Sequence, residues 1–108
     1  MKHRDDTNLS GFDDVYFPDA YVLDIREGAT EVSFELDVYA RGRARLVFPN
    51  VTRVEWLNKV MQPTYGLDPE PDYGSIDSLT FHASRYRISG EWGELAIQSD
   101  VPIIVFLE

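Results

Sequence analysis

Apolar and polar residues alternate along most of this chain, with the two-residue period of half-buried strands. Between Ser75 and Leu107 the pattern runs in short bursts. Leu79, Phe81 and Ala83 share one face, followed by Tyr86, Ile88 and Gly90, then Leu95 and Ile97. Short polar or glycine-bearing breaks separate the bursts, so sequence neighbours are expected to pair as antiparallel hairpins. Thr30–Ala40 gives the longest clean strand. Val32, Phe34, Leu36, Val38 and Ala40 face inward, and Ser33, Glu35, Asp37 and Tyr39 outward. Tyr21–Arg26 alternates as well, with Tyr21, Leu23 and Ile25 set against Val22, Asp24 and Arg26. Val15–Phe17 reads as a short strand ended by Pro18, Ala44–Phe48 as another, and Val51–Leu57 as one that buries Val54 and Trp56. The spacing predicts a mainly β, antiparallel meander of about seven strands, with at most a short helical turn near Asn58–Met61.

Register follows from parity. A three-residue connection at Arg41-Gly42-Arg43 sets Ala44 opposite Ala40, Leu46 opposite Val38 and Phe48 opposite Leu36. Arg45 then faces Tyr39, within diagonal reach of Asp37. A shorter loop would force Arg45 onto the core face, which is costly. A loop at Ser84-Arg85 pairs Phe81 with Ile88 and His82 with Arg87, and one at Glu91-Trp92 pairs Ile88 with Leu95. Ile103–Leu107 is apolar on both faces, so both are expected to be covered, unlike a strand at an open sheet edge. The sheet should therefore fold over, as a sandwich or a strongly curled half-barrel, or bring the N-terminal strand alongside.

The chain has 108 residues, enough for one domain and one core. Residues 1–14 are polar apart from Leu9 and Phe12 and read as a flexible tail. Residues 15–108 form the single β-rich domain. With no cysteine, disulfides and thiolate chemistry are excluded. The N-terminus lacks the apolar stretch of a secretory signal, and the longest apolar run, Val101–Leu107, is far too short to span a bilayer as a helix. A cytoplasmic location is expected.

The net charge of −9 opposes binding to nucleic acid or anionic membrane and favours a basic partner. It is unevenly spread, with a basic ribbon (Arg41, Arg43, Arg45, Arg53, Lys59) between two acidic stretches. Cross-strand charge pairing accounts for that ribbon more simply than a binding patch does.

Candidate chemistry is sparse. Asp68-Pro69-Glu70-Pro71-Asp72 alternates carboxylates but lacks the glycine and distal glutamate of a helix–loop–helix calcium site, so it reads as a solvated acidic loop. His82 is expected on the outward face beside Arg87, without the orienting partner of a general base. Glu91 and Glu94 flank a turn with no cleft implied. No phosphate loop or nucleophile elbow is present. No cofactor is expected, and the chain reads as non-enzymatic.

The aromatic residues outside the expected core point to protein binding. Tyr65 and Tyr73 sit in the irregular 58–74 segment with Asp68, Glu70 and Asp72, and a segment of this kind is usually functional or mobile. Tyr39 is expected on an outward face and Trp92 at a turn. These residues form the expected partner-binding set.

Four stretches, Pro18–Ile25, Glu31–Leu36, Leu46–Val51 and Ile88–Leu95, share a pattern with a known group. An acidic motif opens a strand, a hairpin follows, and an apolar stretch ending in valine leads to a polar loop and a C-terminal meander. In this pattern the chain resembles small bacterial β-rich proteins of unknown or immunity-type function. Many of these open with His-Asp where this chain has Pro18-Asp19. The resemblance implies a compact β domain and, for some relatives, neutralisation of a partner toxin by direct binding. It implies no catalytic residue. The leading expectation is thus an acidic, non-enzymatic protein-binding domain, immunity-like in its use, with an unidentified, basic protein as partner. The alternative is a small-molecule or carbohydrate-binding β domain.

Overall fold

A computed structural model describes residues 20–63 and 72–107. The tail expected over 1–14 and the strand expected at Val15–Phe17 lie outside these residues. Eight strands are present: β1 Ala20–Glu27, β2 Val32–Val38, β3 Gly42–Phe48, β4 Arg53–Lys59, β5 Ile76–His82, β6 Arg85–Gly90, β7 Gly93–Gln98 and β8 Ile103–Phe106. All pair antiparallel, in two four-stranded sheets ordered β1-β2-β3-β8 and β4-β7-β6-β5. The sheets do not close into a barrel, and the fold is a β sandwich. No helix occurs among the described residues. Where a helical turn was expected, Asn58 and Lys59 complete β4, and the Val60 and Met61 amides both donate to the Trp92 carbonyl, each at 3.0 Å.

The alternating residues supply the core. Val32, Phe34, Leu36 and Val38 from β2 and Ala44, Leu46 and Phe48 from β3 are buried with Leu79, Tyr86, Ile88, Leu95 and Ile97 from the other sheet. Ala40, expected to face inward, instead sits exposed in the β2–β3 turn with φ 63°. In β1 the expected faces fail at the start. Ala20 and Val22 are buried and Tyr21 is exposed, because Leu23 is an extra residue bulged between Val22 and Asp24. The bulge reverses the phase, which brings Ile25 back against the core.

Two hairpins have the expected faces but different registers. The β2–β3 loop is Tyr39–Arg41, so Leu36 faces Ala44, Phe34 faces Leu46 and Val32 faces Phe48. This shift sets Arg45 opposite Glu35, with Nε 2.5 Å from Oε2, and Arg43 opposite Asp37. Two opposite-charge pairs replace the single diagonal one, which favours this register. In β5–β6 the loop is Ala83-Ser84, pairing Phe81 with Tyr86 and His82 with Arg85. Both loop residues have positive φ, 54° and 67°, matching a type I′ turn, whose twist suits the flanking strands. The β6–β7 hairpin turns at Glu91-Trp92 and pairs Ile88 with Leu95, as expected.

The expectation for the last strand is overturned. Among the described residues β8 is an edge strand, and its outward residues Ile103 and Val105 are exposed.

Candidate interaction surface

The four sheet edges differ in how they are guarded. Exposed edges invite pairing with other chains, and proteins usually blunt them with charges or bulges. β1 carries Asp24, Arg26 and Glu27 and a bulge. β4 carries Arg53, Glu55 and Lys59 and a bulge between Trp56 and Asn58. β5 carries Asp77 and a bulge between Ile76 and Ser78. β8 has neither device. Its pairing with β3 is regular, and no charged residue occurs from Val101 to Leu107.

Strand geometry fixes what this edge presents. The Leu107 amide donates to the Arg43 carbonyl at 2.9 Å. By alternation, the amides and carbonyls of Val105 and Ile103 also point toward β3, and those of Ile104 and Phe106 point away from it. Side chains alternate independently, above and below the sheet. Ile104 and Phe106 turn inward and pack on the core, while Ile103, Val105 and Leu107 are 53%, 46% and 42% exposed. Among the described residues, an unpaired backbone edge is thus joined to an apolar outer strip. At its C-terminal end the Arg41 guanidinium lies 4.4 Å over the Phe106 ring. That arginine belongs to the same turn as Tyr39, which is 72% exposed.

No family profile, no curated protein and no solved structure matches this chain.

The residues expected to bind a partner fall in different settings. Tyr39 stands on the surface, in the turn that also carries Arg41. Trp92 is fully buried, which corrects the expectation of an exposed turn residue. Its ring meets Phe34 at 5.3 Å and Trp56 at 6.1 Å between centroids. Asp72 accepts the Gly74 amide at 2.8 Å, and the Tyr73 amide donates to the Val22 carbonyl at 2.8 Å. Both residues therefore help fasten the segment before β5 onto β1. Tyr65, Asp68 and Glu70 lie outside the described residues. The basic ribbon is locally engaged where its contacts are resolved: Arg45 with Glu35, Arg41 over Phe106 and Lys59 over Trp56 at 4.9 Å. Arg87, beside Glu94 across β6–β7, has Nε 2.9 Å from Oε2.

Sequence reasoning missed the β8 edge, because an apolar strand at a sheet edge and an apolar strand covered on both faces read alike. The available signal was the absence of charge from Val101 to Leu107, set against its presence on every other edge strand.

A concavity of about 500 Å³ opens at the end of the sandwich where Phe48, Phe81 and Tyr86 meet. The buried Tyr86 phenol is pushed above its ordinary pKa of 10.0, first by desolvation and then by the Asp100 carboxylate, so it remains a neutral donor at physiological pH. Among the described residues no group of three or more carboxylates or histidines is placed to hold a metal ion.

Proposed function

We propose that this is a non-enzymatic protein-binding domain that takes an extended segment of a basic partner protein as an added strand beside β8. The observation that carries the reading is the contrast between the four edges of the described sheets: among them, only β8 lacks both charge and bulge while exposing an apolar strip. Strand addition uses these elements, with main-chain hydrogen bonds supplying affinity and alternate side chains supplying specificity. The Ile104 and Phe106 backbone groups would bond the incoming strand, and Ile103, Val105 and Leu107 would meet its apolar residues. The net charge of −9 selects the occupant. It repels a second copy and attracts a cationic protein from a distance. Neutralisation of a toxin by direct binding, implied by the immunity-type resemblance, is one use of such an edge.

The test begins with pull-down from the native host, followed by binding measurements on the purified partner. Val105→Lys should weaken binding at least about tenfold, roughly 1.4 kcal/mol, because it sets a charge in the apolar strip. The thermal midpoint should hold, since Val105 is already half in solvent. Leu57→Lys, on the guarded β4 edge, should leave affinity unchanged. Association should slow as salt is raised and the Debye length shortens to about 8 Å. Undiminished binding by Val105→Lys would move the interface elsewhere. A wild-type dimer in light scattering that Val105→Lys dissolves would instead make the occupant a second copy and overturn the basic-partner reading.

A further inference from the structure

The cleft at the end of the sandwich lies between the β3–β4 loop, the β7–β8 loop and the β5–β6 turn. We propose that it is a binding site for a neutral polyhydroxylated ligand, a sugar or cyclic polyol of monosaccharide size. The site is separate from the β8 strip and does not depend on it.

The rim is fixed in advance. The Asp100 amide donates to the Pro49 carbonyl at 3.0 Å, and the Thr52 amide donates to the Gln98 carbonyl at 2.8 Å, so the two loops are stitched together. Across this seam Asn50 Nδ2 donates to Asp100 Oδ2 at 2.7 Å. Asn50 holds a left-handed backbone with φ 53°, a conformation that asparagine tolerates better than most residues. A binding site whose loops are already ordered loses less entropy on capture.

The chemistry of the lining narrows the ligand. The Asn50–Asp100 pair uses one carboxamide hydrogen and one carboxylate oxygen on each other. A carboxamide oxygen, a second amide hydrogen and the other carboxylate oxygen are left over from that bond. Such groups accept from and donate to neighbouring hydroxyls, which are themselves both donors and acceptors. The Tyr86 hydroxyl is a further donor at the cleft wall, held in the neutral form. The half-buried Phe81 ring, 4.6 Å from Tyr86 between centroids, supplies an apolar surface for the carbon face of a sugar ring. Among the described residues, the lining holds no arginine, lysine or histidine, and the carboxylate present would repel an anion. A single carboxylate is a poor cradle for a divalent cation, which prefers several oxygen ligands of high charge. The volume suits a small ligand, since binding clefts typically start near 300 Å³.

The experiment is a backbone amide NMR titration of the full chain with glucose, galactose, mannose and myo-inositol at millimolar concentration. Acetate and magnesium chloride serve as ionic probes. At least one polyol should shift the amides of Asn50, Ser84 and Asp100 in a saturable way. Asp100→Ala and Tyr86→Phe should each weaken that polyol about tenfold. Val105→Lys should leave it unchanged, so the fate of the β8 reading and the fate of this one are read separately. Should Asp100→Ala perturb folding, Tyr86→Phe, which keeps the ring, still decides the matter. No saturable shift with any polyol, shifts away from the cleft, or equal shifts with acetate or magnesium would each overturn the proposal.

Discussion

Trp92 occupies a two-residue turn, yet its indole is fully buried against Phe34 and Trp56. Gly90 is what admits it. A Cβ at position 90 would overlap both the Ser75 carbonyl oxygen and Trp92 Nε1. Burial leaves a cost, because Nε1 has no hydrogen-bond partner among the described residues. The gain is a large apolar ring in the centre of the sandwich, and the apolar area outweighs one unpaired N–H. Trp92→Ala should therefore lose roughly 3–5 kcal/mol in a urea titration. Gly90→Ala should lose roughly 1–3 kcal/mol, because its neighbours include a backbone carbonyl that cannot swing aside. A glycine-to-alanine change with no effect would mean that the indole has another resting place.

At the level of strands and turns, the hairpins show what an alternating pattern determines. Alternation fixes parity, and therefore which face each residue takes. It does not fix register, because a slide that advances the partner by two residues leaves every face unchanged. Val32 through Val38 kept their expected face while their partners moved, and Phe81 was matched to Tyr86 in place of Ile88. Turn chemistry and cross-strand charge decide among such registers, and here the turn sequences are poor guides. Ala83-Ser84 adopts positive φ at both positions, although neither residue favours it. Replacing the pair by Asn-Gly should relieve this and stabilise the protein by roughly 1 kcal/mol, measured as a rise in the urea midpoint at constant slope. A fall in stability would show that Ala83 or Ser84 makes contacts worth more than the backbone strain. The β1 bulge at Leu23 was equally silent in the sequence, since an extra residue leaves no mark on the pattern until the phase reverses. Of the expected binding residues, Tyr39 was read as exposed and is. The burial of Trp92 is not legible in the sequence, because a flanking glycine looks the same whether it eases a turn or makes room for a ring.

On the scale of the whole molecule, charge and edge architecture act together. The net charge of −9 sets copies of the chain against one another, which opposes edge-to-edge pairing along the apolar β8 strip. The sandwich also interleaves its chain. The sheet holding β1, β2 and β3 is completed by β8, and the sheet holding β5, β6 and β7 is completed by β4. Pairing β3 with β8 joins distant parts of the sequence, so that contact should form late in folding. The interleaving makes the protein a natural split reporter. If the chain is divided after Leu67, the first fragment keeps β4 without its sheet and the second keeps β8 without its own. Neither fragment should give a cooperative melt alone, and mixing them should restore one. The two tryptophans then fall on different fragments, and because Trp56 and Trp92 stand 6.1 Å apart in the intact fold, their fluorescence should change together on reassembly. A cooperative melt from either fragment by itself would show that one sheet can stand without the borrowed strand.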